Sequence, residues 1–397
     1  MGKYDRIEEI KISVLIGMHF LVMAVLSYSV TILKEQGIPM GQIGVLTAIP
    51  SLASIMIQMV LGIVLDKRDI KSLIRTIRLF LWLGIAGLAL FILQGASYGW
   101  LIAAFIFFGF GMYSTSPLYS TLVIRYGENG VPVRYSVARG MGSLTYGIGC
   151  VILGYVIQAG RYRMVLCMGV LTLVLMLFDS HFLRYKNLLT VNHRNDQEHY
   201  KFPLRYYLYL IGSLGLFIGH FMLNTYMIHV VEYLGGNNRH VGYTQLILSI
   251  SEVPMAFFFP WLLKKQGIKK LVIISACFMA LKIFGNAIAP NLYILMIVQA
   301  IQFAGNGLFW ATSVCYVNDM VSKEDQVKGQ SLLFIACSGI SGFIANYTGG
   351  KILEYTSLAV LKNTACICGF VGMVCMILSA INRKNRGDSK CRIFNSI

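Results

Sequence analysis

The sequence predicts an all-α membrane protein with twelve transmembrane helices in two six-helix halves. Three observations carry this reading. The chain is apolar with few charges, it offers about twelve stretches long enough to cross a bilayer, and it aligns with itself so that residue 43 faces residue 241.

Of the 397 residues 56% are hydrophobic and only 13% are charged, a balance that excludes an ordinary water-soluble globular domain of this size. A helical span needs roughly 20 mainly apolar residues to cross a hydrocarbon core about 30 Å thick. Such stretches fall at 12–33, 40–65, 76–95, 99–124, 135–158 and 164–182, then at 206–232, 241–263, 271–289, 291–317, 330–354 and 358–381. Short alternating segments of the kind that build β-barrels are absent. The first span follows a mixed-charge segment and leads into Lys34-Glu35-Gln36-Gly37 instead of a small-residue cleavage site, so it reads as a retained helix.

A formal charge of +17 raises the possibility of nucleic acid as a partner, and the position of the charges decides against it. Counted by alternate loops, about 26 Lys and Arg fall on the side that holds both termini and about 6 on the other. Lys67/Arg68/Lys71/Arg75/Arg78, Lys264/Lys265/Lys269/Lys270 and the tail Arg383/Lys384/Arg386/Lys390/Arg392 carry most of this bias. The expectation is an inner-membrane protein with both termini in the cytoplasm, a tail attracted to membrane lipid, and no nucleic-acid partner. The nine cysteines are scattered without a pair of CxxC motifs and read as small buried hydrophobes, so neither a metal nor a cofactor is expected.

The internal repeat sets the domain organisation. Residues 43–74 and 241–272 align without gaps, from Ile43-Gly44 against Val241-Gly242 to Lys71-Ser72-Leu73 against Lys269-Lys270-Leu271. The match continues through Phe80/Phe278, Leu83/Leu281, Ile85/Ile283 and Gly87/Gly285. Two apolar helices share residues easily, but a basic hairpin in the same register is a stronger sign of duplication. The predicted organisation is a six-helix bundle over 1–182, a polar cytoplasmic loop over 183–205, and a second six-helix bundle over 206–397 that ends in the basic tail.

The segment Gly62-Ile-Val-Leu-Asp66-Lys67-Arg68-Asp69 resembles the loop after the second helix of the major facilitator superfamily. It departs at Asp69, where the family usually has a second Gly; the second half keeps that Gly as Gly267 and lacks the Asp. Ala138-Arg139-Gly140-Met141-Gly142-Ser143, Ser251-Glu252, Ala280-Leu281-Lys282 and Val298-Gln299-Ala300-Ile301-Gln302 are similar to the branch holding the lactose and phenylpropionate-type permeases. The resemblance implies the major facilitator fold, a monomer, and a secondary transporter for a small-molecule substrate. It also implies a cytoplasmic gate at Gly62, Asp66 and Lys67, where a breakable contact closes one side of the protein.

Ionisable groups inside the bilayer are the site candidates, because each costs at least about 2.5–3.5 kcal/mol to insert and needs a partner or a watery cavity. Glu252 and Lys282 each fall about eleven residues into their predicted spans, near mid-depth. The first half has Ser54 and Gly84 at the matching positions, so the scaffold does not need the charges. The residues alone leave two readings open, a structural ion pair or a cavity site for substrate and proton. By resemblance, Glu252 contacts substrate and Lys282, where Arg is usual, takes part in coupling. Arg139, whose family counterpart grips substrate hydroxyls, lies close enough to the membrane surface to snorkel instead.

Gln302, Asn306 and Tyr119 join the substrate-binding candidates. On the seventh span His220 and Asn224 share a face at i and i+4, and His220 adds a second titratable group beside Glu252 for proton coupling. Gln302 and Gly305 stand where the sugar symporters place a His and an acid, and Ser120 where they place another acid, so the lactose-permease proton route lacks its groups here. The expected function is transport of a small polar or amphipathic solute by alternating access as a proton symporter, without enzymatic activity. Two alternatives stay open: a facilitator or exporter of amphipathic compounds without proton coupling, and a membrane enzyme or sensor that transports nothing. No GxxxxGK[ST] loop is present to drive the chain with ATP.

Overall fold

The computed structural model describes residues 3–65, 70–93, 97–128, 133, 135–183, 202–322 and 325–381, and among these every regular element is a helix. We number the spans α1 to α12. In the first half they are α1 (Lys3–Ser27, continued by Ser29–Glu35), α2 (Met40–Leu65), α3 (Ile70–Leu93), α4 (Tyr98–Glu128), α5 (Tyr135–Gln158) and α6 (Tyr162–His181). The second half begins with α7 (Leu204–Thr225, continued by Met227–Tyr233). One helical run, Asn238–Ile288, then holds two spans.

That run has 51 residues, about 77 Å at the helical rise and far more than one crossing needs. It breaks at Gly267, whose φ of 72° suits a residue without Cβ, giving α8 (238–266) and α9 (268–288). Counted as continuous helices, eleven described elements are long and apolar enough to cross a membrane; dividing this run gives the twelve spans expected. The remaining spans are α10 (Leu292–Ala300, Ile301–Phe303 and Asn306–Met320), α11 (Gln326–Phe334, Ile335–Ile340 and Ser341–Tyr355) and α12 (Leu358–Ile381).

Two compact units result, Met1–Asn195 with Asn237–Leu246, and Asp196–Gly236 with Ile247–Ile397. In the first, α1 packs on α5 and α6, and α3 on α4 and α6. In the second, α7 packs on α12 and α11. Within each unit glycines set the closest approaches. A Cβ on Gly111 of α4 would lie 2.4 Å from the backbone nitrogen of Gly84 on α3, and one on Gly372 of α12 would lie 2.5 Å from that of Leu216 on α7. Small residues at such crossings let helices gain dispersion contacts where lipid offers no hydrophobic drive between them.

Four spans are interrupted. In α1 and α7 the break falls at Tyr28 and Tyr226, both fully buried. Each hydroxyl leaves its own helix and donates to a backbone carbonyl of a neighbour, Tyr28 to Cys150 of α5 at 2.7 Å and Tyr226 to Asn346 of α11 at 2.6 Å. Both short C-terminal segments then end in one cap. Gly37 donates to the Lys34 carbonyl and Ile38 to that of Leu33, as Gly235 donates to the Glu232 carbonyl and Gly236 to that of Val231. Gly37 and Gly235 have φ of 76° and 77°, left-handed values that close a helix end cheaply in glycine.

The other two breaks lie in the second unit. In α10 the backbone tightens to a 3-10 turn at Ile301–Phe303 and leaves helical geometry at Gly305, where a Cβ would lie 3.2 Å from the Met279 nitrogen of α9. In α11 a π-helical turn spans Ile335–Ile340. There the Ser341 hydroxyl bonds to the carbonyls of Ala336 at 2.7 Å and of Leu214 on α7 at 3.1 Å. Non-helical backbone at membrane depth persists where protein or a cavity satisfies it, so these two breaks point to the functional region.

Candidate functional site

The break in α10 presents two amides, Gln302 within the 3-10 turn and Asn306 at the start of the next helical segment. Facing them are Glu252 of α8 and Lys282 of α9. Nζ of Lys282 donates to Oε1 of Gln302 at 2.5 Å, and Nε2 of Gln302 donates to Oε1 of Glu252 at 2.6 Å. The same carboxylate oxygen accepts from Nδ2 of Asn306 at 2.7 Å. Lys282 and Gln302 are each 2% exposed, whereas Glu252 and Asn306 are partly open.

The acid and the base are therefore joined through an amide and form no direct ion pair. Gln302 can serve both because its carbonyl accepts while its NH2 donates. Two acceptors are left over: the network leaves Oε2 of Glu252 without a hydrogen bond, and Oδ1 of Asn306 is enclosed without a partner. One turn along the same two helices, Nε2 of Gln299 donates to Oδ1 of Asn286 at 2.7 Å, again out of contact with solvent.

Structure thus brings together Glu252, Lys282, Gln302 and Asn306 of the residues expected from sequence. His220 sits on α7 in an aromatic setting, with Phe221 and Phe217 ring centroids 5.5 and 6.2 Å away, and Asn224 follows one turn later. Tyr119 and Arg139 belong to a cluster in the first unit. Tyr119 is buried and sets its ring edge-on to His19 at 5.2 Å, His19 meets the Thr115 hydroxyl at 3.3 Å, and the exposed Arg139 lies 4.5 Å over the Phe20 ring. Gly62 lies in the last turn of α2, while Asp66 and Lys67 fall outside the described residues. Among the described residues no three His, Cys, Asp or Glu side chains converge as metal ligands.

Asn286 and Gln299 are the members of this ladder that charge alone does not single out in the sequence. Their signal was present as amides one turn from Lys282 and Gln302 in otherwise apolar spans. The break at Gly305 had no local signal beyond a glycine among many.

A family model described as "MFS_1 like family" matches residues 12–362. The chain belongs to this family. The maltose permease of Geobacillus stearothermophilus is 23% identical over 183 residues, covering 46% of this chain and 46% of that relative, so the match spans about half of either protein. Among solved structures, the nucleoside transporter NupG matches 95% of this chain and all of its own at 15% identity, with a TM-score of 0.77. A peptide transporter of the POT type matches 94% of this chain and 93% of its own at 12% identity and a TM-score of 0.73. This member of the MFS_1 like family thus has the major facilitator fold and is a multi-pass membrane protein.

Proposed function

We propose that the chain is a secondary transporter that moves a small polar or amphipathic solute by alternating access, coupled to protons through Glu252. The observation that supports this is the Lys282–Gln302–Glu252–Asn306 network at the break in α10. An acid and a base at membrane depth are expensive, and here they are held by amides that leave two acceptors without donors. When Glu252 takes a proton, Gln302 and Asn306 lose an anionic acceptor and the whole network loosens. Solute binding at the same acceptors then competes with or favours that proton, which is the linkage a symporter requires. The protein acts as a monomer without enzymatic chemistry, sits in the inner membrane with both termini cytoplasmic, and consists of two six-helix bundles joined by the 183–205 loop.

Maltose, uridine and a dipeptide, chosen from what the relatives are named for, serve as first probes in a thermal-shift screen, because a ligand of the folded state raises its melting temperature. Proteoliposomes with an imposed proton gradient then test coupling. Glu252→Gln is expected to stay folded and to lose accumulation against a gradient. If Glu252→Gln/Lys282→Ala still accumulates a probe fully, the pair is structural and the reading fails. Labelling from outside the cell of a cysteine introduced at Asn192 would overturn the orientation.

A further inference from the structure

The ladder between α9 and α10 holds one group that the proposed transport cycle has not yet used. Gln299 is 0% exposed, and its Nε2 donates to Oδ1 of Asn286 at 2.7 Å and to the Leu295 carbonyl at 3.3 Å. Those bonds fix which way the amide points, because turning it over would set its oxygen against the Leu295 carbonyl. Its Oε1 is left enclosed without a hydrogen bond. Buried amide oxygens nearly always have a donor, so one without calls for an explanation.

The donor is close at hand. An ammonium carries three N–H groups, and the network uses one of those on Lys282, toward Gln302. Asn286 lies one turn beyond Lys282 on α9, and Gln299 one turn before Gln302 on α10, so the two rungs are neighbours about 5–6 Å apart. A four-carbon stem spans that shift by rotation alone. The charged or titratable groups that act on Lys282 are Glu252 of α8 and His220 of α7.

We propose that Gln299 is a second station for the Lys282 ammonium, occupied when Glu252 is neutralised. While Glu252 is a carboxylate, Gln302 is polarised between anion and cation and holds Lys282 in place. A proton on Glu252 removes the anion, and the ammonium, keeping its own charge and protons, turns to Oε1 of Gln299. The proposal rests on the reading that Glu252 and Lys282 act in transport, and it supplies the place to which the cation withdraws.

The test is the fall in melting temperature caused by Gln299→Leu in the full chain, measured in five backgrounds: wild type, Glu252→Gln, Lys282→Met, Glu252→Gln/Lys282→Met and Glu252→Gln/Lys282→Arg. With Glu252→Gln standing for the protonated acid, Gln299→Leu is expected to cost about 3 °C more than in wild type. That excess should vanish when Lys282→Met is present and survive with Lys282→Arg. One unchanging fall in every background means that Gln299 only packs, and overturns the proposal. If Glu252→Gln does not fold, Gln302→Met empties the first station and the same comparison applies. Accumulation of maltose and uridine against a gradient by the Glu252→Gln protein is read separately. Unimpaired accumulation overturns the transport role of Glu252 whatever the melting cycle gives, while lost accumulation with a flat cycle overturns the second station alone.

Discussion

The two halves pack the same helix pair differently at one level and alike at the next. Between α3 and α4 of the first half Gly84 meets Gly111 backbone to backbone, and Gly87, one turn on, has its counterpart in Gly285, where a Cβ would meet the Val298 side chain at 2.8 Å. Between α9 and α10 the second half places Lys282 where the first has Gly84, and Asn286 where it has Leu88, and fills the gap with amides. The C-terminal ends of α1 and α7 show the reverse, since Tyr28 and Tyr226 stand at the repeat register, each bonds to the fifth helix of its half, and their glycine caps match bond for bond. The repeat register carries the hinges in both halves and the amide ladder in one, so the hinges belong to the shared scaffold, while the ladder is where the proposed function sits.

The comparison breaks most sharply at the glycine crossing. Gly111→Ala is expected to cost about 3 kcal/mol, because backbone on α3 cannot yield to a Cβ. Gly307→Ala beside the site, with nothing closer than 3.4 Å, should leave the melting temperature nearly unchanged. Equal losses in thermal melts would mean that the halves are packed alike. Next in size is Lys282→Met, which deprives Gln302 Oε1 of its donor and the Glu252 charge of its nearby cation. About 2 kcal/mol should be lost, with partial recovery on adding Glu252→Gln, as read from the same melts.

The shared hinge gives a smaller effect. Tyr28→Phe and Tyr226→Phe each remove one buried hydrogen bond and should each cost about 1 kcal/mol, within about 0.5 of each other. Unfolding curves that separate the two by more would show that the hinges are not equivalent.

The smallest effect lies before α11, where Asp325 bonds to Lys328 at 3.0 Å and to the Ser322 hydroxyl at 2.9 Å. The Lys328 bond first, and then that of Ser322, hold its carboxyl below the usual carboxylate range. A depressed folded value means that the stabilisation is present above the unfolded value near 3.9 and is lost as pH falls through the folded one. The melting temperature of Asp325→Asn should therefore sit slightly below wild type at neutral pH, and the gap should close below about pH 4.

Much of this is legible in the sequence. The ranges 40–65, 135–158 and 358–381 match α2, α5 and α12 at both ends, because apolar runs bounded by polar residues fix where a helix enters and leaves lipid. Glu252, Lys282, Gln302 and Asn306 could be singled out because polar groups in lipid are costly. Their arrangement could not, since nothing in one dimension says that an amide stands between the acid and the base. The breaks at Tyr28 and Tyr226 were hidden for a related reason: their cause is a hydroxyl bonded to another helix, whereas Pro50 and Pro254, the usual breakers, lie within continuous helix.

The bridging amide has a consequence at the level of the gene. Glutamine and histidine codons differ only in their third base, so a single nucleotide change at position 302 would set an imidazole between Glu252 and Lys282. The chain thus stands one mutational step from a bridge that can itself carry a proton, and a laboratory population selected at altered pH has a short path on which to find it.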